Sequence, residues 1–107
     1  NYSYTYSYGA ASVVGSSYSS GNTVIVTGGN GASFSTSSTP GQIITDILNY
    51  SNTSTYKTTL SRSGNSGETT ESVGLWRSTS AINSIVIGAS GTFATGTVAT
   101  LYGIQAA

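Results

Sequence analysis

Tyr2, Tyr4, Tyr6 and Tyr8 alternate without a break against Ser3, Thr5 and Ser7. A period of two predicts a β-strand, with tyrosines on one face and small hydroxyls on the other. Further on, Gly9 to Asn22 is low in complexity and reads as a loop holding one short strand. Thr23 to Thr27 (TVIVT) reads as a compact strand, and Gly28 to Gly31 (GGNG) as a turn. Ala32 to Ser35 predicts a brief strand around Phe34, and Thr36 to Gly41 a turn around Pro40. Gln42 to Tyr50 (QIITDILNY) carries Ile43, Ile44, Ile47 and Leu48 on a spacing that also fits a helix. Its β-branched content and early stop favour a strand buried on both faces, as in the middle of a sheet. Ser51 to Thr55 is a turn. Tyr56 to Arg62 alternates as a strand with a solvated face. Ser63 to Gly67 is a turn, and Glu68 to Arg77 a strand.

The stretch from Val73 to Ile104 holds the chain's tryptophan and its densest β-branched run. Ile85, Val86 and Ile87 predict a strand, Gly88 to Gly96 a loop, and Val98, Thr100, Tyr102 and Ile104 a closing strand. Trp76, Ile85, Ile87 and Leu101 are the expected core anchors, with Trp76 packed between two sheets near Ile85 and Leu101. Short strands punctuated by Gly/Ser/Asn turns, about seven or eight in all, predict an all-β chain folded as an antiparallel β-sandwich or jelly roll.

The same stretch resembles a known family. LWRSTSAINSIVI, followed by GTFATGTVATLYGI, is similar to the ending of a group of tailed-bacteriophage structural (virion) proteins. In that group a tryptophan strand precedes an AI-x-SI-x-I strand, and a G-x-F-x-x-G-S/T loop leads into a closing LYGI strand. IITDILNYSNTSTYKTTLSRS resembles the family's middle, and NYSYTYSYGAAS another segment of it. The resemblance implies that residues 1–107 form a single β-sandwich domain equivalent to the C-terminal two-thirds of such a protein, lacking the family's N-terminal strands. It implies a virion location, in an extracellular particle. It also implies that the partners are other copies of the chain, as a homo-oligomer, or other virion proteins in the tail or the capsid decoration. Either strands from neighbouring subunits or polypeptide not represented in this sequence would then cover the open sheet edge.

Composition narrows the chemistry. The chain has 107 residues, no cysteine, no histidine and no net charge, and 6% of its residues are charged, against roughly 25% in ordinary domains. Thiolate or imidazole metal sites and thiol or histidine catalysis are therefore excluded by residue type. No basic stripe exists for nucleic acid. No apolar run approaches the roughly 20 residues that span a bilayer, so no membrane partner is expected. The glycine turn at Gly28–Gly31 lacks the lysine and the helix of a phosphate loop.

Of the acids, Asp46 reads as locally bonded or solvent-facing. Glu68 and Glu71 are spaced to opposite faces of a strand, which separates them as a catalytic pair. Lys57, Arg62 and Arg77 are expected to pair with them as surface charges. No enzyme activity, cofactor or metal site is expected. Tyr2, Tyr4, Tyr6 and Tyr8 have two readings. One is a cross-strand packing ladder. The other is a sugar-stacking stripe of a carbohydrate-binding, receptor-recognition module of a phage tail or fibre, which would make a host-surface glycan the partner.

Overall fold

A computed structural model describes residues 1–28, 41–89 and 92–104. Among these residues the fold is all-β: β1 (Tyr2–Ala10), β2 (Val13–Asn22), β3 (Gln42–Leu48), β4 (Lys57–Gly64) and β5 (Glu68–Trp76). They form one antiparallel sheet in the order β2-β1-β5-β4-β3. The turns follow from local chemistry. Ala11 takes φ 34° in the tight β1–β2 turn, and Asn49, at φ 57°, ends β3 as asparagine tolerates in the left-handed region. Asn52 Oδ1 then accepts from the amides of Ser54 (2.7 Å) and Thr55 (2.9 Å). Asn65 Oδ1 does the same for Gly67 (2.8 Å) and Glu68 (2.9 Å) between β4 and β5. In each case the side chain supplies the acceptor that the reversing backbone lacks.

The ladder registers sort the side chains into two faces. Tyr2, Tyr4, Tyr6 and Tyr8 oppose Trp76, Gly74, Ser72 and Thr70 of β5. Those in turn oppose Lys57, Thr59, Ser61 and Ser63 of β4, and Ser63, Ser61 and Thr59 oppose Ile43, Thr45 and Ile47 of β3. This is the covered face: Lys57, Thr59, Ser61, Ser63, Thr70, Ser72 and Gly74 are buried. Its centre is made of small polar side chains, while the larger apolar ones sit at its margins. Thr45 and Ser61 hydroxyls share a hydrogen bond of 2.9 Å, and Ser72 Oγ donates to the Thr27 carbonyl at 3.4 Å. The other face carries Leu60, Val73 and Ile44 beside Arg62, Glu71 and Asp46, all exposed.

Several expectations are corrected. Gly9 to Asn22 is mostly the ten-residue strand β2 rather than a loop. Thr23 to Thr27 is not a strand. Its Ile25 side chain sits on Gly74 of the covered face, and its Thr27 carbonyl accepts there from Ser72. Gln42 to Leu48 is a strand but an outer one, not a central one. A second sheet is not present among the described residues, so the expected sandwich appears as one five-stranded layer. Ile85–Ile87 and Val98–Ile104 belong to no strand. A strand needs a ladder partner, and neither segment has one here. The brief strand around Phe34 lies outside the described residues, as does most of the turns at Gly28–Gly31 and Thr36–Gly41.

Candidate functional site

The tyrosine ladder is where the sequence and the fold converge. β1 lies between β2 and β5, and small residues flank its tyrosines on both sides: Ser19, Ser17 and Gly15 on β2, Gly74, Ser72 and Thr70 on β5. That leaves the rings room to lie down on the sheet. A Cβ added at Gly15 would come within 2.8 Å of the Tyr8 ring, so the glycine is the seat on which Tyr8 rests. Tyr4 and Tyr6 stack with centroids 6.2 Å apart and planes at 24°. Tyr6 and Tyr8 are 6.3 Å apart and tilted by 39°. These spacings are close to the two-residue repeat of a strand, and each such pair contributes about 0.5–1.5 kcal/mol beyond simple burial. All four tyrosines are half-buried. Among the described residues they are neither sealed under a second sheet nor set in a closed groove. The lane can take a flat apolar partner, either a second protein layer or the apolar face of a sugar ring.

Trp76 extends this lane. Its ring stacks on Tyr2 at 6.1 Å with planes 18° apart. It is half-buried at the end of β5, and the enclosure between two sheets expected from the sequence is not seen among the described residues. Ile85, Ile87 and Leu101, the other expected core anchors, are 46%, 63% and 79% exposed. The structure brings none of them into a core. Among the described residues there is a single layer, with no second sheet to enclose them.

The charged side chains are dispersed. Glu68 opposes Ala10 on the ladder face, whereas Glu71 opposes Ser7 and Arg62 on the other face, in keeping with their expected separation. Asp46 is exposed and opposes Leu60. Among the described residues no three acids, histidines or cysteines gather as metal ligands. Among the described residues, the exposed face holds a shallow depression around Thr5, Ser7, Leu60, Arg62, Glu71 and Val73.

Lys57 is the residue that sequence reading missed. It is not a surface charge: it is 1% exposed. Its Nζ donates to the carbonyls of Thr55 at 2.8 Å, Thr79 at 3.2 Å and Ser78 at 3.5 Å. The ammonium therefore ties the loop before β4 to the chain leaving β5. Nearby, the Ile82 amide donates to the Tyr50 carbonyl at 2.8 Å, a second tie between the same two connections. Only the position of Lys57 at the edge of an Asn/Ser/Thr turn hinted at this, since such loops present free carbonyls.

No family model matches the chain, and neither a curated protein nor a solved structure is similar enough to count as a match.

Proposed function

We propose that this chain is a non-enzymatic structural protein of a tailed-bacteriophage particle, in which the five-stranded sheet is one layer of a β-sandwich or jelly roll. The reading rests on the resemblance carried by LWRSTSAINSIVI and GTFATGTVATLYGI. One observation supports it most: the segment bearing those motifs leaves Val86, Val98, Tyr102 and Ile104 almost bare, Val86 at 93%. Apolar side chains in β-branched, alternating sequence gain about 25 cal/mol for each Å² removed from water. A chain that carries so many of them uncovered is suited to a setting that covers them, as a particle assembled from many copies does. The sparse charge fits the same setting, since it removes the repulsion that keeps monomers apart.

The test is to purify the phage particles by density gradient and digest them for mass spectrometry. Peptides of this chain are expected at the copy number of a structural component. Their presence in the infected-cell lysate but not in particles would overturn the reading.

A second reading has the half-buried, ring-spaced tyrosine lane in its favour: a receptor-recognition surface for a glycan. Here, titrating host-surface oligosaccharides should shift the ring resonances of Tyr4, Tyr6 and Tyr8 together. Unmoved tyrosine resonances at millimolar glycan would remove it.

A further inference from the structure

We infer that the tyrosine lane takes a neutral, linear polysaccharide lying lengthwise along β1, with successive sugar rings stacked on Tyr4, Tyr6 and Tyr8. This rests on the glycan reading above and names the class of glycan. The attitude of the rings makes the lane a floor. The tip of the Tyr8 ring lies over Gly15, one strand away, so the ring rests one face on the sheet. Tyr4 and Tyr6 are within 24° of parallel, and Tyr6 and Tyr8 within 39°, so their outward faces look much the same way. Half-burial is what a ring in that attitude shows, with one face on the backbone and the other turned away from it. From Tyr2 to Tyr8 the strand advances about 20 Å, at about 3.3 Å per residue. A floor of that length suits several rings of a chain better than a single terminal sugar.

The phenol hydroxyls separate a sugar from a covering protein layer. Among the described residues none of the four has a hydrogen-bond partner, and the buried side-chain atoms left without one are Asn22 Nδ2, Thr59 Oγ1 and Ser63 Oγ, none of them a phenol. An apolar layer laid on the lane would bury these hydroxyls unpaired, at a cost for each. A polysaccharide brings hydroxyls of its own to every step, and Ser17 and Ser19 beside the lane on β2 offer more. Charge then selects among the polymers that stack on aromatic side chains. Single-stranded nucleic acid needs cations along its backbone, yet the residues opposed to Tyr4, Tyr6 and Tyr8 on both sides are serine, threonine and glycine. Lys57, which opposes Trp76, is buried and spends its ammonium on three carbonyls. Acidic polysaccharides meet the same lack of cations. They also meet the Glu68 carboxylate at the Tyr8 end, where it accepts from the Thr70 hydroxyl at 3.0 Å. A neutral chain meets neither obstacle.

The experiment titrates the full chain with the neutral hexamers cellohexaose, xylohexaose and chitohexaose, with their shorter homologues down to the monosaccharide, and with oligogalacturonate and a thymidine oligonucleotide as charged counterparts. At least one neutral hexamer should bind, with affinity rising as rings are added, and the two charged polymers should bind at least about tenfold more weakly. Tyr6→Ala should weaken the bound hexamer about tenfold, and Tyr6→Phe, which keeps the ring, should weaken it less. Tyr18→Ala should change nothing, because Tyr18 opposes Thr5 and lies on the other face of the sheet. The comparisons of length and charge need no variant, so they stand even if Tyr6→Ala fails to fold. A monosaccharide that binds as tightly as its hexamer, a preference for oligogalacturonate, or a loss of binding through Tyr18 rather than Tyr6 would overturn the inference and leave the broader glycan reading in place. Silence toward every sugar, or a response to the oligonucleotide alone, would overturn both.

Discussion

Replacing Lys57 with methionine is expected to destabilise the fold by about 3 kcal/mol, a large fraction of what a domain of this size has. Methionine keeps most of the buried stem and removes the ammonium. Hydrogen bonds to a charged donor contribute about 1.5–3 kcal/mol each, and Lys57 offers three to carbonyls. Part of that gain is offset because the variant no longer has to desolvate a charge, and water can reach some of the freed carbonyls. The remaining loss should appear as a lower urea midpoint at unchanged slope. A shift worth less than about 0.5 kcal/mol, the size of an ordinary surface substitution, would mean that the three carbonyls are solvated as well by water as by the lysine.

Gly74→Val should cost about 3 kcal/mol, against its local propensity. In the interior of a strand, glycine is unfavourable and valine favourable, by up to about 1 kcal/mol. At this position, however, a Cβ would overlap the Ile25 side chain and come within 2.5 Å of the Thr59 hydroxyl. Overpacking of this kind costs about 1–3 kcal/mol, occasionally more. The segment carrying Ile25 would have to lift off the sheet, taking with it the Ser72–Thr27 hydrogen bond. Pairing the substitution with Ile25→Ala isolates the cause. If the overlap is the reason, the double variant should lose less than the sum of the two single ones. Strict additivity, or a stabilised Gly74→Val, would show that Ile25 does not rest on the glycine.

The strands that sequence reading found are those whose two faces differ. β1, β4 and β5 alternate in residue character, and each lies near its expected bounds. β2 escaped because an outer strand of serine and glycine is paired on one side alone, so burial imposes little pattern on it. Gln42 to Leu48 was recognisable as a strand but misplaced within the sheet. Apolar residues on both faces suit a central strand, and they equally suit an edge that another surface covers. TVIVT shows the opposite error. Its Ile25 is used in covering Gly74, and periodicity does not separate that role from membership of a ladder. For the site, the tyrosine stripe was legible from spacing, and the opposite faces of Glu68 and Glu71 followed from parity. The burial of Lys57 was not legible, because it depends on three carbonyls converging from two distant connections. The exposed state of Ile85, Ile87 and Leu101 was not legible either, since alternation marks a surface that wants cover without naming what provides it.

The place of β5 in the sheet has a consequence for synthesis. β1 and β2 close on each other through a tight turn, and β3 and β4 pair across a short loop, so each hairpin can form as soon as its residues emerge. Two-stranded hairpins are marginal in water by themselves. The strand that joins them is the last to be made: β5 enters between β1 and β4, and every β1–β5 pair, from Tyr2 with Trp76 to Ala10 with Glu68, links residues more than half the chain apart. Closing so long a loop is slow and brings no reward until the contacts form. A ribosome that stops short of Glu68 has therefore not trimmed an edge. It has left out the middle of the sheet, and the two hairpins are released with their inner edges open.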